Sequence, residues 1–338
     1  MDNLKVAEKK KSLMEKVNPV PGIGIIMAMI SGVFLATGSL TVKLITSLSG
    51  IEIVVARAIF MISVISLIIL HQKDSLIPPV GERFPLILRS ILGCGSLILS
   101  YSSIKLIPLG DSQSIVFSSP VFISILGCLL LNEPCGVVQI IAVCATILGI
   151  FLISRPSFIF PHDGIPISPA SDRTIGITMA LCACIGASLC FICIRRLQKT
   201  STSVVVFWYS FFCVIGGLTV SYINGTLALP AKPIEYGYLF ICGLAGLIGQ
   251  GLLTFALKIE HAGPVSLARA TEIIMAFSYQ VIIVGESVSI YSIIGATIIG
   301  CSVILVAFHK WYLNDQLRFK RIFCCQKQQS AESQFDSC

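Results

Sequence analysis

Ten runs of apolar residues, each roughly the length of a membrane crossing, follow one another along this chain. They lie at 22–42, 51–70, 84–106, 110–131, 135–154, 174–194, 203–222, 236–257, 263–284 and 288–309. At about 1.5 Å of rise per residue, some twenty apolar residues cross the roughly 30 Å of a bilayer's hydrocarbon as a helix. The runs are continuous rather than alternating, which argues against spanning strands. A backbone in lipid must satisfy its own hydrogen bonds, so each run is expected to be helical. Only 12% of the 338 residues are charged, about half the share of a water-soluble domain. The expected fold is an all-α, polytopic membrane protein of ten transmembrane helices.

Most connections between runs are short, so neighbouring helices run antiparallel. The exception is "RPSFIFPHDGIPISPASDR", 155–173, whose four prolines and lack of periodicity read as a loop. It divides the chain into a basic tail (1–21), a first unit (22–154), the loop, a second unit (174–309) and a C-terminal tail (310–338). The first twenty residues are polar and Lys-rich, and the run after them is long enough to stay in the membrane as a span. Lys and Arg fix the orientation. With a cytoplasmic N-terminus, seventeen of them, including Lys5, Lys73, Arg83, Arg89 and Arg196, lie on or at the edge of that face. Five lie opposite: Lys43, Lys105, Arg155, Arg173 and Lys232. Both termini are then cytoplasmic, in the plasma membrane or the endoplasmic reticulum and Golgi. Asn224, in "NGT", is a glycosylation candidate on the other face. Cys324 and Cys325 follow Lys320 and Arg321 and are candidates for palmitoylation. Ten of the Cys within the apolar runs, Cys94 to Cys301 with Cys135 apart, read as small packing residues.

The two units echo each other. "GIIMAM" at Gly24 returns as "GITMAL" at Gly176, an offset of 152. At the same offset Lys43 meets Arg195 and Ser49 meets Ser201. At 153, Gly93 meets Gly246, Gly110 meets Gly263 and Glu133 meets Glu286. Each unit holds five spans, an odd number, so the second enters the membrane from the other side. The expectation is two inverted five-helix repeats around a site near the bilayer midplane, the architecture of alternating-access carriers.

The Gly-rich third span, "SSPVF" in the fourth, "LNEP" closing it, "VVARAIF" in the second and a Gly near the end of the fifth resemble an EamA-type unit of the drug/metabolite transporter superfamily. Within it, the chain is similar to the G-type branch of solute carrier family 35. The resemblance implies a carrier of small organic solutes with spans one to four and six to nine around a central cavity, and spans five and ten supporting a homodimer. The second unit departs from the pattern: "TEIIMAF" stands where the first has "SPVF", and Tyr209 stands where Arg57 would repeat.

Charges inside hydrocarbon are costly and face a cavity or a partner. Arg57 lies in span two, and Arg269 and Glu272 lie one turn apart in span nine. On a regular helix Ser266, Arg269, Glu272 and Gln280 share a polar face. One reading is an anion site in which Arg57 and Arg269 grip a carboxylate or phosphate through forked hydrogen bonds, with Glu272 steadying Arg269 or carrying protons. A second is an Arg–Glu clasp that staples spans two and nine. A third is a gate using both in turn. Pro120 removes a backbone donor in mid-span, so Ser118 and Ser119 either line the resulting kink or bond back to their own helix. The glycines of spans three and eight read as close-packing faces, and Lys43 and Lys105 as side chains reaching to the surface.

The four His (His71, His162, His261, His309) are scattered, so no metal site or other cofactor is expected. No GxxxxGK[ST] loop points to direct ATP drive, and no nucleophile–base pair points to an enzyme. The basic tails suit anionic lipid rather than nucleic acid. The expected function is secondary-active transport of a small organic solute, an anionic metabolite such as a carboxylate. The alternatives are a non-transporting scaffold of the same fold and a Golgi nucleotide-sugar exchanger.

Overall fold

The computed structural model describes residues 23–73, 75–119, 121–123, 126, 137–154, 170–197, 199–225, 228–259, 265, 268–305 and 308. Pro120, Ser266, Glu133, Cys324 and Cys325 lie outside them. Among the described residues there is no strand. The helices are α1 (Ile23–Leu44), α2 (Gly50–Gln72), α3 (Arg83–Leu106), α4 (Leu109–Phe117), α5 (Val137–Ser154), α6 (Ala170–Arg195), α7 (Thr202–Asn224), α8 (Pro233–Ile259), α9 (Ala270–Tyr279, continued by a π turn Gln280–Val284) and α10 (Ile290–Leu305). Six of them are long and apolar enough to cross a membrane, and Ile140–Ile153, Thr271–Val284 and Ile290–Leu305 are shorter apolar helices. α6 begins four residues inside the segment read as a loop, because "ASDR" supplies polar first-turn residues with Asp172 at the positive end of the helix.

Local sequence sets the helix ends. Ser49 precedes α2, and its amide donates to the Glu52 carboxylate at 2.7 Å. Ser201 caps α7, its hydroxyl accepting from the Val204 amide at 3.4 Å. α7 stops at Gly225, whose φ of 64° is the left-handed conformation that glycine adopts without penalty. Within the helices, Ser63, Ser90, Ser210, Thr219 and Thr297 hydroxyls donate to the carbonyl four residues back. That is how hydroxyl groups are tolerated in apolar segments.

Helices of one unit pack mainly on helices of the other. The largest contacts are α3 with α6, α1 with α8, and α2 with α7; α3 also meets α7, α8 meets α2, α9 meets α1, α4 meets α6, and α4 meets α9. Adding or subtracting five turns each of these pairs into another of the set or into itself. The individual contacts follow the same rule. Ser31 of α1 donates to the Gly249 carbonyl of α8 at 2.8 Å. Shifted by 152 and 153, those positions are Ala183 and Ser96, and Ser96 donates to the Ala183 carbonyl at 2.6 Å. Gly32 lies against Thr271, and the shifted pair, Cys184 and Ser118, has its sulfur and oxygen 3.3 Å apart. Small residues and hydroxyl bonds are what hold helices together where lipid removes any hydrophobic preference.

Two carboxylates brace the helix turns. Glu82, just before α3, accepts from the amides of Lys199 and Thr200 at 2.9 Å each and from the Thr200 hydroxyl at 2.5 Å. Glu235, 153 positions on, accepts from the amides of Thr46 and Ser47 at 3.1 and 3.2 Å and from the Ser47 hydroxyl. Glu82 thus holds the α6–α7 turn at the start of α3. At the other end of α3 lies the α1–α2 turn: Lys105 donates to the Ile45 carbonyl, and Lys43 donates to the carbonyls of Ile104 and Ile107 at 3.2 and 3.1 Å. Lys43 also lies 3.2 Å from Glu286. The expectation that Lys43 and Lys105 simply reach to the surface is therefore corrected: both ammonium groups close off helix-end carbonyls. The matching turns of the two units sit at opposite ends of α3, about 36 Å apart for 24 residues.

Replacing Glu82 by Ala leaves three buried or half-buried donors without their carboxylate, at a cost of about 1–3 kcal/mol. Glu82→Ala and Glu235→Ala are each expected to lower the melting temperature of the purified protein, as measured by intrinsic fluorescence in detergent.

Candidate functional site

A cavity of about 130 Å³ lies at the centre of the bundle, and its walls come from α1–α4 and α6–α9. Arg57, Arg89, Arg269 and Glu272 supply the charges. Tyr101, Tyr209, Gln113, Gln250, Thr254, Ser39, Ser96 and Ser100 supply further polar groups. Gly93 and Gly246 decide how close the aromatic and basic groups come. A Cβ on Gly93 would stand 3.1 Å from the Tyr209 ring, and one on Gly246 would stand 2.7 Å from Cζ of Arg57. Those glycines correspond at offset 153, and Arg57 and Tyr209 at offset 152. Each unit thus sends one large side chain over the glycine of the other.

Arg57 is 3% exposed and Arg89 is 2% exposed. Arg57 donates through Nη1 to the Tyr101 hydroxyl and its guanidinium lies 5.5 Å from that ring's centre. Its Nε and Nη2 have no hydrogen-bond partner among the described residues. Arg89 lies 4.5 Å over the Tyr209 ring, with Nε and Nη1 likewise unpartnered. An aromatic face offsets part of the cost of burying a cation. Arg269, immediately before α9, donates through Nη2 to Glu272 Oε2 at 2.7 Å. Its guanidinium is flanked by Phe117 and Phe191, whose ring centres are 5.7 and 5.6 Å away. Three guanidinium charges thus face the cavity against one carboxylate.

The structure brings Arg57, Arg269 and Glu272 together in these walls, but the clasp joins residues within span nine rather than spans two and nine. Gln280 is elsewhere: its side-chain Oε1 accepts from the Gly110 amide at 2.9 Å, filling the start of α4. It shares a helix face with Glu272 but lies eight residues, about 12 Å, further along the axis. Ser118 bonds back to the Ile115 carbonyl at 2.6 Å, and the Ser119 carbonyl accepts from Ser188 at 3.1 Å. Neither lines the cavity. Asn224 is exposed at the end of α7. Arg89 was read as a topology charge at the membrane edge, and that is corrected: it is buried in α3, one turn before Gly93. That spacing was the available signal, because i and i+4 share a helix face.

The EamA-like transporter family matches twice, over residues 22–155 and 174–308. The chain belongs to the EamA-like transporter family. It is accordingly a multi-pass membrane protein of a transporter family. It is 30% identical to human solute carrier family 35 member G1, over 89% of this chain and 83% of that protein. It is 28% identical to the mouse protein of the same name, over 88% and 81%. It is 27% identical to the pseudopaline exporter CntI of Pseudomonas aeruginosa, over 71% and 82%. A solved crystal structure superposes with a TM-score of 0.61 at 15% identity, covering 87% of this chain and 99% of that one. At that identity it speaks to the fold alone.

In this EamA-family chain Gly246→Ala drives a methyl group into the Arg57 guanidinium, whereas Gly93→Ala asks the Tyr209 ring to give by a few tenths of an ångström. A larger fall in melting temperature for Gly246→Ala than for Gly93→Ala is the expected result of a thermal-unfolding comparison.

Proposed function

We propose that this protein is a secondary-active carrier of a small organic anion bearing a carboxylate, working by alternating access of two inverted five-helix halves. The observation that carries the reading is the pair of buried guanidinium groups, Arg57 and Arg89, facing the cavity with nitrogen atoms unpartnered among the described residues. Burying a cation without a counter-ion costs several kcal/mol. A scaffold gains nothing from that expense, whereas a carrier recovers it each time an anion docks. Arginine's planar fork suits a carboxylate through two parallel hydrogen bonds.

The inverted-repeat reading is supported by the two family matches of similar length and by contacts that map onto one another at offsets of 152 and 153. Near-equivalent halves supply two packings of similar energy, which alternating access requires. The ten-span count is supported by α4, α5, α9 and α10, which complete the six longer helices. Orientation with both termini cytoplasmic rests on sixteen basic residues against five, once Arg89 is assigned to the cavity rather than the edge. α5 and α10 pack on each other, Thr146 and Ser302 lying 2.8 Å apart. Their outward faces, with Ile140, Ile147 and Ile304, meet lipid or a second copy.

Purified protein in liposomes preloaded with unlabelled succinate or lactate is expected to drive counterflow of the labelled acid. Arg57→Ala, Arg89→Ala and Arg269→Ala are expected to reach the membrane and lose at least about tenfold in rate, one charge-assisted hydrogen bond being worth about 1.5–3 kcal/mol. A variant that transports normally removes its residue from the site, and absence of counterflow in the unmodified protein favours the scaffold.

A further inference from the structure

We propose that the solute is a dianion with two separate carboxylate heads, a short-chain diacid that docks one head on Arg57 and the other on Arg89; the inference rests on the anion-carrier reading above and names its substrate class. Charge sets the number of heads. Among the described residues the charged side chains lining the cavity are Arg57, Arg89, Arg269 and Glu272. Glu272 lies 2.7 Å from Nη2 of Arg269, three residues away on the same face, so that pair is neutral as it stands. Arg57 and Arg89 remain as two buried positive charges with no carboxylate of the described residues against either. A monoanion balances one of them and leaves the other unpaired, which is the costly arrangement inside a protein. Two negative charges balance both.

Position sets how the two charges are divided. Arg57 reaches from α2 to the Tyr101 hydroxyl, which takes Nη1. Its Nε and Nη2, the two nitrogens of one guanidinium edge, are buried without a partner among the described residues. That edge can hold one carboxylate through two parallel hydrogen bonds. Arg89 lies on α3 twelve residues before Tyr101, about 18 Å along the helix axis. Its guanidinium rests 4.5 Å over the Tyr209 ring, with Nε and Nη1 unpartnered among the described residues. The two cations are thus fixed by different anchors at different depths. A head at each suits that arrangement better than one head gripped by both.

The tyrosines hold both guanidinium groups in place before the solute arrives, so little ordering is left for the docking step to supply. Size agrees with a small acid. The cavity's volume of about 130 Å³ is below the roughly 300–1,000 Å³ of pockets for drug-sized ligands. A diacid of a few carbons suits that space, and a nucleotide sugar does not. The selectivity is one of charge: an amide in place of the second carboxylate keeps the length of the solute but leaves Arg57 or Arg89 unpaired.

The test is calorimetric titration of the purified full chain in detergent, at fixed ionic strength and a pH where the acids are fully ionised. Malonate, succinate and glutarate are each compared with their own monoamide. The best-fitting diacid is expected to bind at least about tenfold more tightly than its monoamide. Arg57→Gln and Arg89→Gln are each expected to bind the two alike, with monoamide binding retained as the sign that the variant is folded. A merely structural role would weaken both ligands together and keep their ratio. Diacids that bind the unmodified protein no better than their monoamides overturn the two-head inference and leave the carrier reading standing. Sulfate, with both charges on one centre, binding as tightly as the best diacid overturns the division of charge between Arg57 and Arg89. A preference that survives in both variants overturns their roles, and no binding of any of these acids overturns both readings together.

Discussion

Helices in lipid gain nothing from hiding apolar side chains from one another, so this bundle depends on how closely its helices can approach. The seams that matter join α1 to α8 and α3 to α6, each closed by a hydroxyl on one helix and a backbone carbonyl on the other: Ser31 to Gly249, and Ser96 to Ala183. The hydroxyl has changed sides between the two seams while the hydrogen bond persists. That exchange is easy to understand if the constraint acts on the pair, because either member can supply the donor once both are small. The seams hold α3 and α8 upright, and Gly93 and Gly246 on those helices let Tyr209 and Arg57 reach the centre.

The cavity departs from symmetry where chemistry is needed. One half sends Arg57 over a glycine and the other sends Tyr209. Arg89 stands on α3 where α8 has Cys242, at offset 153. The positive charge is thus concentrated on α2 and α3, with two tyrosines as its lining, while the balanced Arg269–Glu272 clasp lies on α9. On the proposed carrier reading, near-equivalent halves with an asymmetric lining would give one ligand orientation and two access states. The cost is carried as buried, under-satisfied guanidinium groups, and rules of local consistency are commonly broken in this way at functional sites.

Much of this was legible in the sequence because lipid imposes such coarse rules. Apolar runs of spanning length place α1–α3 and α6–α8 to within a few residues, and charges inside apolar runs point to Arg57, Arg269 and Glu272. The wheel projection that grouped Gln280 with them was correct in angle and silent about the axis, and distance along the helix sends Gln280 to the Gly110 amide. Arg89 was hidden because a charge near the end of an apolar run serves equally as an orientation signal or a buried ligand, and only packing against α7 decides. Glu82 and Glu235 were hidden for a different reason. Their partners are backbone amides more than a hundred residues away, and backbone amides leave no mark in a sequence.

The proposed inverted arrangement requires that matching turns of the two halves open on opposite faces of the membrane. Thr46 and Lys199 are exposed in those turns, one braced by Glu235 and the other by Glu82. Single cysteines at the two positions, reacted with a membrane-impermeant maleimide in sealed vesicles of known orientation, test this directly. The expected result is that one position labels at once and the other only after the vesicles are permeabilised. Labelling of both from the same face would contradict the inverted arrangement and the alternating access built on it.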